Sequence, residues 1–246
     1  MKKTLLLLTL AMSVCVTSFA YKQSDLTQLL SSNSCPYGDL SGAHLQNADL
    51  TGADLTGANL SYANLADAVL ENAKLENANL TKANLSNAYL AEAHLDSADL
   101  SSANFSGGTL NKASLVNAKA FRTNFSHSFL NFTNLYGTDL REANLDYANC
   151  SYANFTSANL AQGWFFKTNL ENANLTSANL YNAKMKKATL ISTNLKNANL
   201  SNVNLRDANL TKAELTNANL DNADLLYANL DNAKLSGVSF KTAKLK

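Results

Sequence analysis

From Leu40 to Leu245 a large apolar residue returns at every fifth position, 42 times without an insertion or deletion. Leu fills 34 of these places, and the others hold Phe105, Ala120, Phe125, Cys150, Phe155, Phe165, Met185 and Phe240. Two residues before each stands a small residue, from Gly38 to Ala243, which is Ala at 31 of the 42 places and otherwise Gly, Ser, Thr or Val. The position between the two columns is Asn or Asp 26 times. The unit is therefore A-(N/D)-L-x-x, with one large and one small apolar residue in each.

A period of five fits neither regular element. On an α-helix, residues five apart are about 140° out of phase, so the leucines would wind around every side. On a continuous strand an odd period sends successive leucines to opposite faces. Ala and Leu, two apart, do share one face of a short extended segment. The pattern thus predicts a brief strand per unit, then a bend that turns the next Leu inward, so that the chain coils around its leucines. One coil cannot stand alone, because a few buried leucines do not offset the entropy of ordering the whole coil. Stacking covers each leucine layer and pairs backbone groups across about 4.8 Å, and it requires several repeats with capped ends.

The columns, in units such as ADLTG at 48–52, ANLSN at 83–87 and ANLTK at 208–212, resemble the pentapeptide-repeat family over about 85% of the chain. What the resemblance implies is an all-β solenoid: a right-handed quadrilateral β-helix of about ten coils, four units to a coil, with the Leu and Ala columns inward and the other three positions outward. Only nine Gly and one Pro in 246 residues leave little material for the turns of a β-sandwich. The unbroken phase argues for one domain.

The ends depart from the repeat. Residues 1–20 have the form of a cleavable secretory signal: Lys2 and Lys3, an apolar run from Leu5 to Val16, and Ser18 and Ala20 at the two small-residue positions. The run is too short for the ~20 residues that span a bilayer, so export with no membrane span after cleavage is expected. The destination is periplasmic or extracellular. Residues 21–37 form an N-terminal segment in which Ser24 to Asn33 has helical spacing, with Leu26, Leu29 and Leu30 on one face and Ser24 placed to cap it; this helix is expected to cover the first coil. The repeat occupies 38–246. At its far end Lys234, Lys241, Lys244 and Lys246 are placed to blunt the open edge by charge, or two ends meet in an end-to-end homodimer through the C-terminal coil, an arrangement the family resemblance implies.

Without residues 1–20 the chain carries 18 basic and 19 acidic residues. Neither a basic stripe for nucleic acid nor a basic amphipathic helix for a membrane surface is visible, so no nucleic-acid partner is expected. Cys35 and Cys150 lie nearly six coils apart, about 28 Å at the inter-strand spacing and far beyond disulfide reach; both are expected reduced and buried. His44 and His94 fall on opposite faces and His127 far along the axis, which argues against a metal centre. The Asn-Leu-Ser/Thr sequons, such as Asn79-Leu80-Thr81, follow from the repeat itself. No phosphate-binding glycine loop or nucleophile elbow is present, and a Leu/Ala-filled interior leaves no substrate cavity, so neither an enzyme nor a cofactor is expected.

The rhythm roughens between Gly107 and Thr168. The small column there holds Thr123, Ser128, Thr133 and Thr138, whose hydroxyls can bond nearby carbonyls, and Phe105, Phe125 and Phe165 enter one inner column with Leu145 and Met185. Taken modulo twenty, the outward aromatics gather around one edge, with His127, Tyr147, Trp164 and Phe166 on one side and Phe129, Phe132 and Tyr152 on the next. These seven residues form a candidate protein-interaction patch, against the alternative that they only shield neighbouring coils. The function expected is an exported, non-enzymatic scaffold whose long faces bind a protein partner. The alternative that the resemblance offers, a DNA-mimicking gyrase-interacting protein, calls for a strongly acidic cytoplasmic rod, which the charge and the export signal do not match.

Overall fold

The structure is a computed structural model that describes residues 21–245; the signal-like segment 1–20 and Lys246 lie outside the described residues. Along it, 39 isolated parallel bridges join each residue to the one twenty positions on, from Ser34 with Asp54 to Asp224 with Lys244. Four pentapeptides therefore complete one coil. The brief strand expected in each unit is corrected: pairing is a single bridge residue, because a turn follows each inward Leu at once.

One unit accounts for all five of its amide protons. Ala58 N–H closes a turn on the Leu55 carbonyl at 3.0 Å, Asn59 N–H donates down to Gly38 at 2.8 Å, and Leu60 and Tyr62 N–H donate up to Asn79 and Thr81 at 2.7 and 2.9 Å. The fifth, on Ser61, is bound by the Asn59 side chain at 3.2 Å. This explains the Asn/Asp column. Every one of its 26 members accepts the N–H two residues on. A half-buried donor left unpaired is costly, so the backbone favours Asn or Asp in this column. Many of these amides also form ladders between coils, as where Asn104 Nδ2 donates to Asn84 Oδ1 and Asn124 Nδ2 to Asn104 Oδ1.

The turn itself places the second residue after each inward position at positive φ, near +60° at the 42 corners from Tyr37 to Thr242, and only six of these residues are Gly. A Leu carbonyl bonded to the N–H three residues on, with positive φ at the third residue, is a type II turn. Side chains as bulky as Tyr147, Phe132 and Arg122 are held in this left-handed conformation, which local propensity disfavours. The bonds between coils outweigh that preference.

Inside, the Leu and Ala columns are buried through Leu225. The threonines in the small column bond as expected: Thr123, Thr133 and Thr138 donate to the carbonyls of Leu100, Leu110 and Leu115 in the preceding coil at 2.7–2.8 Å, and Ser128 donates to Phe125 in its own turn. Phe105 and Phe125 stack with centroids 5.2 Å apart. Gly163 makes room for Phe165, since a Cβ there would stand 2.7 Å from the ring.

A helix, α1 (Gln23–Ser32), packs Leu26 and Leu29 on the first coil, with Leu30 partly buried beside them. The expected Ser24 cap is corrected. Lys22 is the N-cap and no side chain caps it; Ser24, already inside the first turn, donates instead to Asp25 Oδ1. Asp25 has the larger role. Its Oδ2 accepts the Asp39 N–H at 2.8 Å, standing in for the carbonyl that a preceding coil would offer. That bond holds its carboxyl below the usual range.

The C-terminal coil has no such cover among the described residues. Leu235 and Leu245 are 40% and 54% exposed, and a hollow of about 880 Å³ opens between Leu225, Leu230 and Leu245. Lys234, one of the lysines placed to blunt this edge, is 2.9 Å from Glu214, which also faces Lys196 at 3.8 Å. The Thr216 hydroxyl first, then Lys234, pull the Glu214 carboxyl from 4.5 to about 2.

Two outcomes follow for stability. Gly163→Ala forces a methyl against the buried Phe165 ring and lowers the unfolding free energy by about 1–3 kcal/mol in denaturant melts, whereas adding Phe165→Leu recovers most of the loss. A depressed carboxylate stabilises the fold above its ordinary pKa and ceases to as the pH falls through the folded value. The wild-type melting temperature should therefore fall between pH 4.5 and about 2 more than that of Glu214→Gln.

Candidate interaction edge

The aromatic edge is built by the register of twenty. His127, Tyr147, Lys167 and Lys187 occupy one corner position in successive coils, and Asn144, Trp164 and Lys184 one outward column beside it. His127 and Tyr147 stack at 4.8 Å with planes 5° apart, Phe166 meets Tyr147 edge-on at 5.4 Å, and Lys167 Nζ lies 5.5 Å from both of those rings. Trp164, 47% exposed, has Lys184 Nζ 3.7 Å over its ring. Around the next corner Phe132 and Tyr152 stack at 4.9 Å with planes 8° apart, one directly above the other as the numbering requires. Phe129 is 49% exposed and joins neither stack. The structure thus assembles six of the seven candidate residues into two stacks and a cation–π pair.

Trp164 interrupts the Asn/Asp column, so Phe166 N–H loses its usual acceptor. Asp146, one coil below, takes it at 2.7 Å. The same substitution occurs where Ser114 and Ser239 break the column, with Asp96 and Asp221 accepting from Val116 and Lys241. At Trp164 the carboxylate of Asp146 compensates the break, so the aromatic residue is displayed without an orphaned donor.

Sequence reasoning missed the cations of this edge. Lys167 and Lys184 each stand twenty residues from an aromatic, and that spacing was the signal available. It also missed Phe121, over which Arg122 and Arg141 lie at 4.8 and 5.7 Å.

Other candidate chemistry does not converge. His44 and His94 lie in columns two sides apart, and no cluster suited to a metal occurs among the described residues. Cys35 and Cys150 are free thiols and buried, and desolvation raises both pKa values, that of Cys150 far out of the reactive range. The resolved carboxylate shifts, at Asp25, Asp54, Asp139, Glu214 and Asp221, all run downward, whereas a general acid at neutral pH needs a raised one. No helix among the described residues is long and apolar enough to cross a membrane.

Pentads paired at twenty residues around a Leu/Ala interior define a parallel β-solenoid of pentapeptide period. The profile of pentapeptide repeats matches eight copies, in segments running from residue 39 to 241. The chain belongs to the pentapeptide-repeat family, whose members form right-handed quadrilateral β-helices and are generally structural or interaction proteins. Among solved structures it is similar to HetL, a pentapeptide repeat protein involved in heterocyst differentiation regulation from the cyanobacterium Nostoc sp., with 29% identity and a TM-score of 0.71 over 91% of this chain and 96% of that one. QnrB1, a plasmid-mediated fluoroquinolone resistance protein, is 19% identical over 67% of this chain and 84% of its own, with a TM-score of 0.34. A pentapeptide repeat protein of the Arabidopsis thaliana thylakoid lumen is 28% identical over 50% and 68%, with a TM-score of 0.27. No curated protein matches the chain.

Proposed function

We propose that this protein is an exported, non-enzymatic scaffold that binds a protein partner along its outer faces, with the edge around Trp164 as the contact. One observation carries the reading. The interior is filled with Leu, Ala and Phe through Leu225, so chemistry is left to the surface, and the largest departure from the repeat on that surface is the exposed cluster of Phe132, Tyr152, Tyr147 and Trp164. Exposed aromatics held on a rigid support match the composition of interaction hot spots. The similarity to HetL, described as acting in a regulatory process, supports a binding role over a reaction. Export rests on the signal-like residues 1–20. Nothing observed favours the DNA-mimic reading, since the chain is near neutral and its aromatic edge is cationic.

The same reading includes an end-to-end homodimer through the C-terminal coil. Its support is the exposure of Leu235 and Leu245 and the hollow beside Leu230.

Affinity capture with residues 21–246, from periplasmic and secreted fractions, should recover a partner that a Trp164→Ser, Tyr152→Ser, Phe132→Ser variant of unchanged melting temperature does not; equal recovery by both removes the edge from the proposal. Light scattering should give twice the chain mass at micromolar concentration, and Leu245→Glu should return it to one; a monomeric wild-type mass rejects the dimer.

A further inference from the structure

The edge that bears Trp164 also carries a cluster of cations, although the chain as a whole is near neutral. Lys167, Lys184, Lys186, Lys187 and Arg206 project from one outward column and its adjoining corner within three coils. Two carboxylates share that region, Asp146 and Asp207. Asp146 is committed to the Phe166 N–H, and Asp207 reaches only Lys186, at 3.9 Å. Asp224, at the border, takes Arg206 at 3.3 Å. Among the described residues no carboxylate forms an ion pair with Lys167, Lys184 or Lys187, all of them exposed. Asp146 keeps its charge while it binds the Phe166 N–H, so the lysines and Arg206 outnumber the acids of this region without being unopposed.

The rings strengthen this polarity. An aromatic ring is negative on its faces and positive at its edge. Tyr147 lies between His127 and Lys167, and Lys184 covers one face of Trp164. What reaches solvent is ring edge and ammonium, both electropositive. A nucleobase or a sugar ring stacks on an open ring face, and at Tyr147 both faces are flanked. A carboxylate finds ammonium groups in the two adjacent coils of Lys167 and of Lys184 and Lys187, about 4.8 Å apart along the axis.

We infer that the corner formed by Tyr147, Trp164, Lys167, Lys184 and Lys187 is a docking surface for an acidic protein segment, one rich in Asp or Glu. Lys167 lies in one coil and Lys184 and Lys187 in the next, about 4.8 Å along the axis, so two or three carboxylates of a short extended run engage all three unpaired lysines. The inference rests on the interaction-scaffold reading and adds the chemistry of the partner to it.

Trp164 is the single tryptophan of the chain and sits at the centre of the surface, so it reports binding directly. A fluorescein-labelled oligoglutamate peptide should bind residues 21–246 saturably by anisotropy, change the Trp164 emission, and lose at least ~tenfold in affinity between ~0.05 and ~0.3 M NaCl. The triple variant Lys167→Glu, Lys184→Glu, Lys187→Glu should abolish binding, while the same reversal at Lys74, Lys119 and Lys212, exposed on other surfaces of the rod, should leave it within about twofold. Melting temperatures check that both variants fold. No saturable binding by the wild type, undiminished binding by the first variant, or tighter binding of oligothymidylate or phosphatidylglycerol vesicles than of oligoglutamate overturns the inference. A native partner still captured in full by the first variant overturns it too and leaves the scaffold reading in place, whereas failure of the scaffold reading shows as no partner captured by the wild type at all.

Discussion

Everything in this molecule answers to the hydrogen bonds between coils. Each pentad sends one N–H down and two up to residues about twenty positions away, and the pairing leaves no slack: a single inserted residue would move every later Leu off the axis. The inward columns, the left-handed corner residues and the Asn/Asp side chains are three responses to that constraint. Leu and Ala fill the space that a coil of this size encloses. The left-handed residue turns the corner fast enough to return after five residues. The Asx oxygen takes the one proton that the stacking leaves over.

The fold was legible because burial and period come from the same residues. Leucine at every fifth place excluded helix and strand on geometry alone, and modulo-twenty arithmetic put Phe132 over Tyr152 and Phe105 by Phe125, where the structure has them. Less legible was what holds the backbone. Gly, Asn or Asp fills 20 of the 42 left-handed positions, a signal of positive φ diluted by Tyr, Lys and Glu, which the stacked coils force into the same conformation. The strand expected per unit shrank to one residue because the periodicity of side chains says where a chain turns inward and not how long it stays extended. Ser24 failed as a cap for a similar reason, since sequence spacing located the helix but not its first turn.

The edge was read in part. Aromatics stood out against a monotonous background, so their positions could be folded onto a face. Their environment could not. That Asp146 would leave its neighbourhood to satisfy a backbone proton, and that Lys167 and Lys184 would settle over rings, depends on side chains from different coils meeting at a corner. Neutral overall charge hid the result, because a net value near zero says nothing about how the charges are dispersed. The breaks in the Asn/Asp column at Ser114, Trp164 and Ser239 share one remedy, an acidic residue in the coil below. Other breaks, such as those at Tyr89 and Phe129, have no such acceptor among the described residues, so the acidic residue below is one local remedy and not a rule of the pattern.

The two ends of the rod differ, and the difference gives the molecule a direction. At one end α1 and the Asp25 carboxylate close the first coil; at the other, inner leucines stand open. In a stack whose coils touch only their neighbours, disassembly proceeds from whichever end is cheapest to open. A protease, an unfoldase or a pulling force would meet a ratchet that yields one coil at a time from the C-terminus, about twenty residues per step. The edge around Trp164 lies several coils inward of that end. In a lone rod that edge would outlast the first steps of such unravelling, whereas pairing of two C-terminal coils would bury the end at which it starts.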